Sequence, residues 1–162
     1  MKRTGWIFAA VCGLCLMGGA AARESLHFPL HRFSISPLEG RTAGKQSVLL
    51  FMSLPASGGF GPNVNVVAQP APPSIDDYLS ISKREFEQKE LKILKADKVD
   101  DQTAVLEYTG ELQNRSLHFY AKAILKGKEV LLATGTATDQ QWESDGPQLR
   151  ACVDSLRRDA GE

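Results

Sequence analysis

Hydrophobic and polar positions along this chain repeat with two periods, and the switches between them mark out its elements. From His31 to Pro37, His31, Phe33 and Ile35 alternate with Arg32, Ser34 and Ser36, the period of two expected of a half-buried strand. Pro37-Leu38-Glu39-Gly40 reads as a turn. Ser47–Leu54 is a more uniformly apolar run, too short for a helix and bounded by breakers, which predicts a buried strand. A loop, Pro55–Pro62, precedes a third strand over Asn63–Gln69, which Pro70, Pro72 and Pro73 end. The period then lengthens. Ile75, Tyr78, Leu79, Ser82 and Phe86 share one helical face, with Lys83, Arg84, Glu87 and Lys89 outside it. Ser74 and Asp77 form a near capping box, and Asp76 and Asp77 suit the positive end of the dipole, so a helix is predicted from Ile75 to about Glu90.

After this helix the period of two returns, predicting strands over Leu91–Val99, Thr103–Leu112, Arg115–Leu125 and Glu129–Ala137. Gln113-Asn114 and Lys126-Gly127-Lys128 are the short links of antiparallel hairpins. In the third of these strands Leu117, Phe119, Ala121, Ala123 and Leu125 share the face expected to be buried. His118, Tyr120, Lys122 and Ile124 share a partly wet one. Asp139–Arg158 closes the chain as helix, read as interrupted and restarted at Asp145-Gly146-Pro147. Leu149, Cys152, Val153 and Leu156 form its apolar stripe, with Arg157 and Arg158 at its negative end. Three strands, a helix, four strands and a helix exclude an alternating parallel nucleotide-binding sheet. The fold class predicted is α+β: a central antiparallel sheet of six to seven strands covered by two helices.

The first residues change the picture of compartment. Lys2 and Arg3 precede an uncharged apolar stretch from Trp6 to Ala20, and Ala20-Ala21-Ala22 supplies small residues where a signal peptidase reads them. The run is short for a membrane span. Residues 1–22 are therefore expected to be a secretory signal cleaved after Ala22, residues 23–30 a flexible linker, and residues 31–158 one domain of a periplasmic or secreted protein. Neither Cys12 nor Cys15 has the upstream residues of a lipid-attachment site. Both leave with the signal, so Cys152 is the one remaining thiol and no internal disulfide is available. The 19 basic and 19 acidic residues balance, and removal of Lys2 and Arg3 leaves a small acidic excess. That excludes the basic stripe of a nucleic-acid binder.

Several segments together resemble the PsbP-like family and, within it, the DcrB-like branch of bacterial exported proteins. They are Phe33-Ser34-Ile35, Pro62-Asn63-Val64-Asn65-Val66, Ser74-Ile75-Asp76-Asp77-Tyr78, Leu106-Glu107-Tyr108-Thr109-Gly110, the run from Val130 to Ala137 leading into Trp142, and Val153-Asp154-Ser155-Leu156-Arg157. The set spans nearly all of residues 31–158. The chain departs from the family at Gly40-Arg41, where Gly-Trp is frequent, and at Asp145-Gly146-Pro147. The resemblance implies helices on both faces of an antiparallel sheet, and interaction modules rather than enzymes. Fold alone does not confer function.

Candidate chemistry is sparse. His27 and His31 lie in an extended, Pro29-containing stretch without the three or four ligands of a zinc site. His118 stands beside Tyr120 with no carboxylate or nucleophile matched to it in the sequence. Ser57-Gly58-Gly59 is no nucleophile elbow, and Gly58, Gly59 and Gly61 lack the lysine and the context of a phosphate loop. Cys152 faces the core as inert packing. Asp76 and Asp77 are helix caps rather than calcium ligands. Asn114-Arg115-Ser116 is a formal glycosylation sequon with no role expected in a bacterial-type exported protein.

No catalytic, cofactor-binding or metal-binding residue is therefore expected. The candidate partner surface is Phe60, on its glycine-rich loop, together with the His118–Tyr120–Lys122 face if the helices leave it open. The expectation is a non-enzymatic envelope protein that binds a protein partner, with neither nucleic-acid binding nor stable membrane insertion once the signal is cleaved. The alternatives are a carrier or sensor for a small apolar ligand or lipid held between sheet and helix, and an enzyme of unrecognised type.

Overall fold

The computed structural model describes residues 25–28, 32–36, 38, 42–43, 49–112 and 114–158. The expected secretory signal lies outside the described residues. Seven strands form one antiparallel sheet: β3 (Thr42–Ala43), β4 (Leu50–Ser53), β5 (Asn63–Pro70), β6 (Lys92–Lys98), β7 (Thr103–Leu112), β8 (Arg115–Lys126) and β9 (Glu129–Thr138). Their order is β3-β4-β5-β9-β8-β7-β6. The consecutive strands β6 to β9 make a meander, and β5 pairs with β9 in the register Asn63↔Thr136 to Pro70↔Glu129. The two long hairpins close where the sequence predicts, at Leu112↔Arg115 and Lys126↔Glu129. Asn114 (φ 59°) and Gly127 (φ 63°) supply the left-handed backbone of these turns.

Helix α1 (Ile75–Gln88) starts as its capping residues require. The Ser74 hydroxyl accepts from the Asp77 backbone N–H at 3.1 Å and donates to the Asp77 carboxylate at 2.7 Å. Glu90, at φ 55°, turns the chain out of the helix into β6. Ile75, Tyr78, Leu79 and Ser82 face the sheet, and the helix lies over β6 and β7.

Helix α2 (Asp139–Asp154) is continuous, which corrects the interruption expected at Asp145-Gly146-Pro147. Its start is fixed earlier by a full capping box between Thr138 and Gln141. Pro147 removes one intrahelical hydrogen bond, but it is exposed, as is Glu143 four residues before it, so water reaches the freed carbonyl. Gly146 is buried against the helix's own Trp142. A Cβ there would come 3.1 Å from the Trp142 ring.

A second sheet joins β1 (Leu26–Phe28), β2 (Phe33–Ile35) and β10 (Arg157–Arg158), with β2 in the middle. This corrects three expectations. Leu26–Phe28 falls in the stretch read as a linker but pairs with β2, and the Phe28 and Phe33 rings stack at 4.6 Å. The first predicted strand belongs to this small sheet rather than the central one, and Phe33, Ser34 and Ile35 are all buried, so its sides do not alternate between wet and dry. Arg157 and Arg158 are strand residues paired to Ser34 and Phe33 rather than the last turn of α2. His31, Pro37 and residues 44–48 lie outside the described residues, so the predicted strands at Ser47–Leu54 and His31–Pro37 are seen only in part.

The core has two halves, one on each face of the large sheet. Under α2 and the small sheet sit Phe33, Ile35, Met52, Val64, Leu131 and Leu149, with Cys152 and Val153 from the helix stripe. Under α1 sit Ile75, Tyr78, Leu79, Leu106, Ala121 and Val130. Both faces of β8 are therefore covered, and the side expected to be partly wet packs beneath α2. Among the described residues no helix is long and apolar enough to cross a membrane.

Candidate functional site

The densest group of polar side chains lies between α2 and the sheet. Hairpin register puts Glu107 opposite Tyr120 and one step diagonally from His118, so all three project to the α2 face. His118 Nε2 lies 2.7 Å from Glu107 Oε1, and the Arg150 guanidinium engages both oxygens of the same carboxylate, Nη1 to Oε2 at 2.9 Å and Nη2 to Oε1. The His118 ring stacks on Trp142 at 3.9 Å, and Arg150 lies 4.9 Å from the centroid of Tyr120 and 5.3 Å from that of Trp142. Burial alone would raise the Glu107 pKa. The hydrogen bonds and charges of Arg150 and His118 outweigh it and hold the carboxyl below its usual range.

The cluster continues toward the C-terminal end of α2. The Tyr120 hydroxyl donates to Asp154 Oδ1 at 2.9 Å, and burial with that carboxylate pushes its pKa up to about 12. Lys122 Nζ donates to the carbonyls of Asp154 (2.8 Å) and Leu156 (2.9 Å), meeting the negative end of the helix where Arg157 was expected. Desolvation lowers the Lys122 pKa against the pull of Asp154 and Asp100. His118, Tyr120 and Lys122 are thus brought together, beneath a helix rather than on an open face. Glu107 is the member that residue-by-residue reading missed. The two-residue link of the β7–β8 hairpin, once taken as fixing the register, is the signal that finds it.

On the opposite face a cleft of about 420 Å³ opens between α1 and the sheet. Leu106, Ala121 and Leu132 form its floor, with Pro70, Ala71 and Pro72 along one rim. Phe86, Tyr108 and Phe119 form a ring stack beside it, with centroids 4.2 Å and 4.7 Å apart. Gln69 Nε2 donates to the Tyr78 hydroxyl at 3.3 Å. Burial pushes the Tyr108 pKa up to about 12, and its hydroxyl makes no hydrogen bond among the described residues.

The remaining sequence candidates are apart from both places. Phe60 is partly buried, and its loop is tied down: Gln141 Nε2 donates to the carbonyls of Ser57 and Phe60 (3.0 Å each), and Arg115 donates to Gly58 (3.1 Å). His27 Nδ1 is 2.8 Å from the Ser34 hydroxyl. Cys152 is buried, its Sγ 3.0 Å from the Ser36 carbonyl, and desolvation pushes its pKa up to about 12. Asp76 pairs with Lys98 at 2.9 Å. Among the described residues no three His, Cys, Asp or Glu side chains gather as a metal site.

No family model matches the sequence, and no curated protein matches it. Solved structures do match in shape. The crystal structure of PA94, a Pseudomonas aeruginosa protein of unknown function, superposes with a TM-score of 0.63 at 17% identity, over 85% of this chain and 99% of that one. The solution structure of cyanobacterial PsbP (CyanoP) from Synechocystis gives 0.58 at 13% identity, over 90% and 98%. The crystal structure of LpqN, involved in cell envelope biogenesis of Mycobacterium tuberculosis, gives 0.59 at 9% identity, over 79% and 83%. With two helices flanking an antiparallel sheet along nearly the whole length of these structures, the chain has a PsbP-like α+β fold.

Proposed function

We propose that this is an exported accessory protein that works by binding, without catalysing a reaction. The observation that carries the reading is the state of its polar cluster. Both oxygens of Glu107 are taken by Arg150 and His118, Tyr120 is committed to Asp154, and Lys122 caps α2. A general base must be able to reach a substrate proton, and the carboxylate best placed to act as one is closed in between a guanidinium and an imidazole. Export rests on the signal-like pattern of residues 1–22, and the likeness to an envelope-biogenesis protein fits it. The DcrB-like affiliation of the sequence is part of the same proposal.

The partner surface we assign is the Ser57–Pro62 loop with Phe60 at its centre. Its ties to Gln141 and Arg115 preorganise it, which lowers the ordering cost of docking. A photo-crosslinking residue at position 60, compared with one at Lys83 on the outer side of α1, tests this in intact cells. A discrete adduct at 60 and none at 83 is the expected result. Equal labelling from both positions, or none from either, rejects the loop as the contact.

One observation favours a second reading, a carrier or sensor of a small apolar molecule. The cleft beneath α1 has the size of a small-ligand site and a mostly apolar lining. Native mass spectrometry of the protein taken from its own envelope would show a bound small molecule; a single apo mass would count against this reading.

A further inference from the structure

We propose that the cleft beneath α1 selects a compact apolar cation: an aromatic ring or short hydrocarbon bearing a protonated amine. The inference rests on the second reading above and adds the ligand's charge to it.

Glu85, on the exposed side of α1, is the one charged residue in the lining, and no Lys, Arg or His accompanies it. It has no ion-pair partner among the described residues, and its charge reaches far enough inward to act on the Tyr78 hydroxyl. A carboxylate ligand such as a fatty acid would meet repulsion here and no cation. An ammonium group meets the opposite. Glu85 at the mouth, together with the Tyr78 and Tyr108 hydroxyl oxygens, offers acceptors to its three N–H donors.

The walls reinforce this sign. Phe86 and Tyr108 line the cleft with tilted rings, and ring faces attract cations. Leu106, Leu132 and Ala121 take the hydrocarbon part. The Tyr108 hydroxyl, which makes no hydrogen bond among the described residues, is available to accept from an entering donor.

Phenethylamine and phenylacetate, two probes of similar size and opposite charge, test the proposal by methyl-resolved NMR titration of the intact chain. Phenethylamine should shift the Leu106, Leu132 and Ala121 methyls and half-saturate at a concentration about fivefold below that of phenylacetate, as expected for one screened carboxylate with an aromatic contribution. Glu85→Gln, an exposed and structurally mild change, should erase that preference while leaving the cleft shifts in place. Equal binding of the two probes, or a preference that survives Glu85→Gln, overturns the assigned charge and leaves the cleft as an apolar site. Shifts from neither probe at the cleft methyls overturn the cleft as a binding site, and the charge assignment falls with it.

Discussion

Helix α2 crosses β5, β8 and β9 through the middle of the sheet, whereas α1 lies over β6 and β7 at its edge. The two helices are similar in length, 16 and 14 residues, but their seats differ. α2 settles on Gly135, where a Cβ would come 3.2 Å from Leu149 Cβ and 3.4 Å from Val153 Cγ2. The small sheet fills the ground beside it. On the α1 side the close approach is made at β7, where a Cβ on Gly110 would collide with Leu91 just past the helix, and the cleft lies beside it. One sheet therefore carries a face keyed at its centre to a helix and a face whose edge helix leaves an apolar-floored cleft. The difference arises from where a helix can approach the backbone, not from how apolar either face is.

Breaking the filled face should cost most. Leu131 and Leu132 are adjacent on β9 and point to opposite faces, the first fully buried under α2 and the second on the floor of the cleft. Leu131→Ala should destabilise by about 2–5 kcal/mol, and Leu132→Ala by about half as much or less, because its truncation enlarges a space already open. Urea unfolding of the pair measures this; equal losses would mean that the cleft is closed in solution. Next comes Glu107→Ala, which strips Arg150 and His118 of their shared acceptor. A loss of about 1–3 kcal/mol is expected, held down because Arg150 is partly solvated.

The same carboxylate sets a pH response. Its folded pKa lies below the ordinary value of 4.5, so its stabilisation is present above that pH and is lost as pH falls through the folded pKa. Urea midpoints should decline below about pH 4.5 in the native chain and less so in Glu107→Gln. A parallel decline in both would assign the acid sensitivity to other carboxyls.

The smallest effects separate two tyrosines, one on each face. Tyr120→Phe loses the bond to Asp154 and should cost about 1 kcal/mol, while Tyr108→Phe removes a hydroxyl with no partner and should change stability by less than about 0.5 kcal/mol. Both phenols keep their protons to about pH 12, against an ordinary value of 10.0. The fold disfavours ionisation of each, so stability is unaffected below about 10 and declines as pH rises from there through about 12. Each Phe variant should remove one late-titrating phenol from the ultraviolet absorbance titration.

Much of the architecture is legible in the residues alone. The Ser74 cap, the Ile75-to-Phe86 stripe, the hairpin turns and the burial of Cys152 depend on neighbours within a few positions, and local chemistry decides them. What escaped is set by distant contacts. Pro147 ends a helix in isolation, yet here Thr138 has already started one and the sheet holds both halves. Leu26–Phe28 and Arg157–Arg158 are strands because each finds β2, which no local period announces. His118 lacked a carboxylate only while the strands were read singly. The cleft, likewise, depends on α1 lying over the sheet's edge, an offset that apolar spacing does not encode.

The small sheet carries one more consequence. β2 is flanked by a strand from near the beginning of the chain and by another from near its end, and the Ser36 backbone is clamped by Ser155 and Cys152 beside the latter. A polypeptide emerging from its amino terminus cannot complete that clasp until Cys152–Arg158 arrive, so Ser36 waits for a partner 119 positions further along the chain.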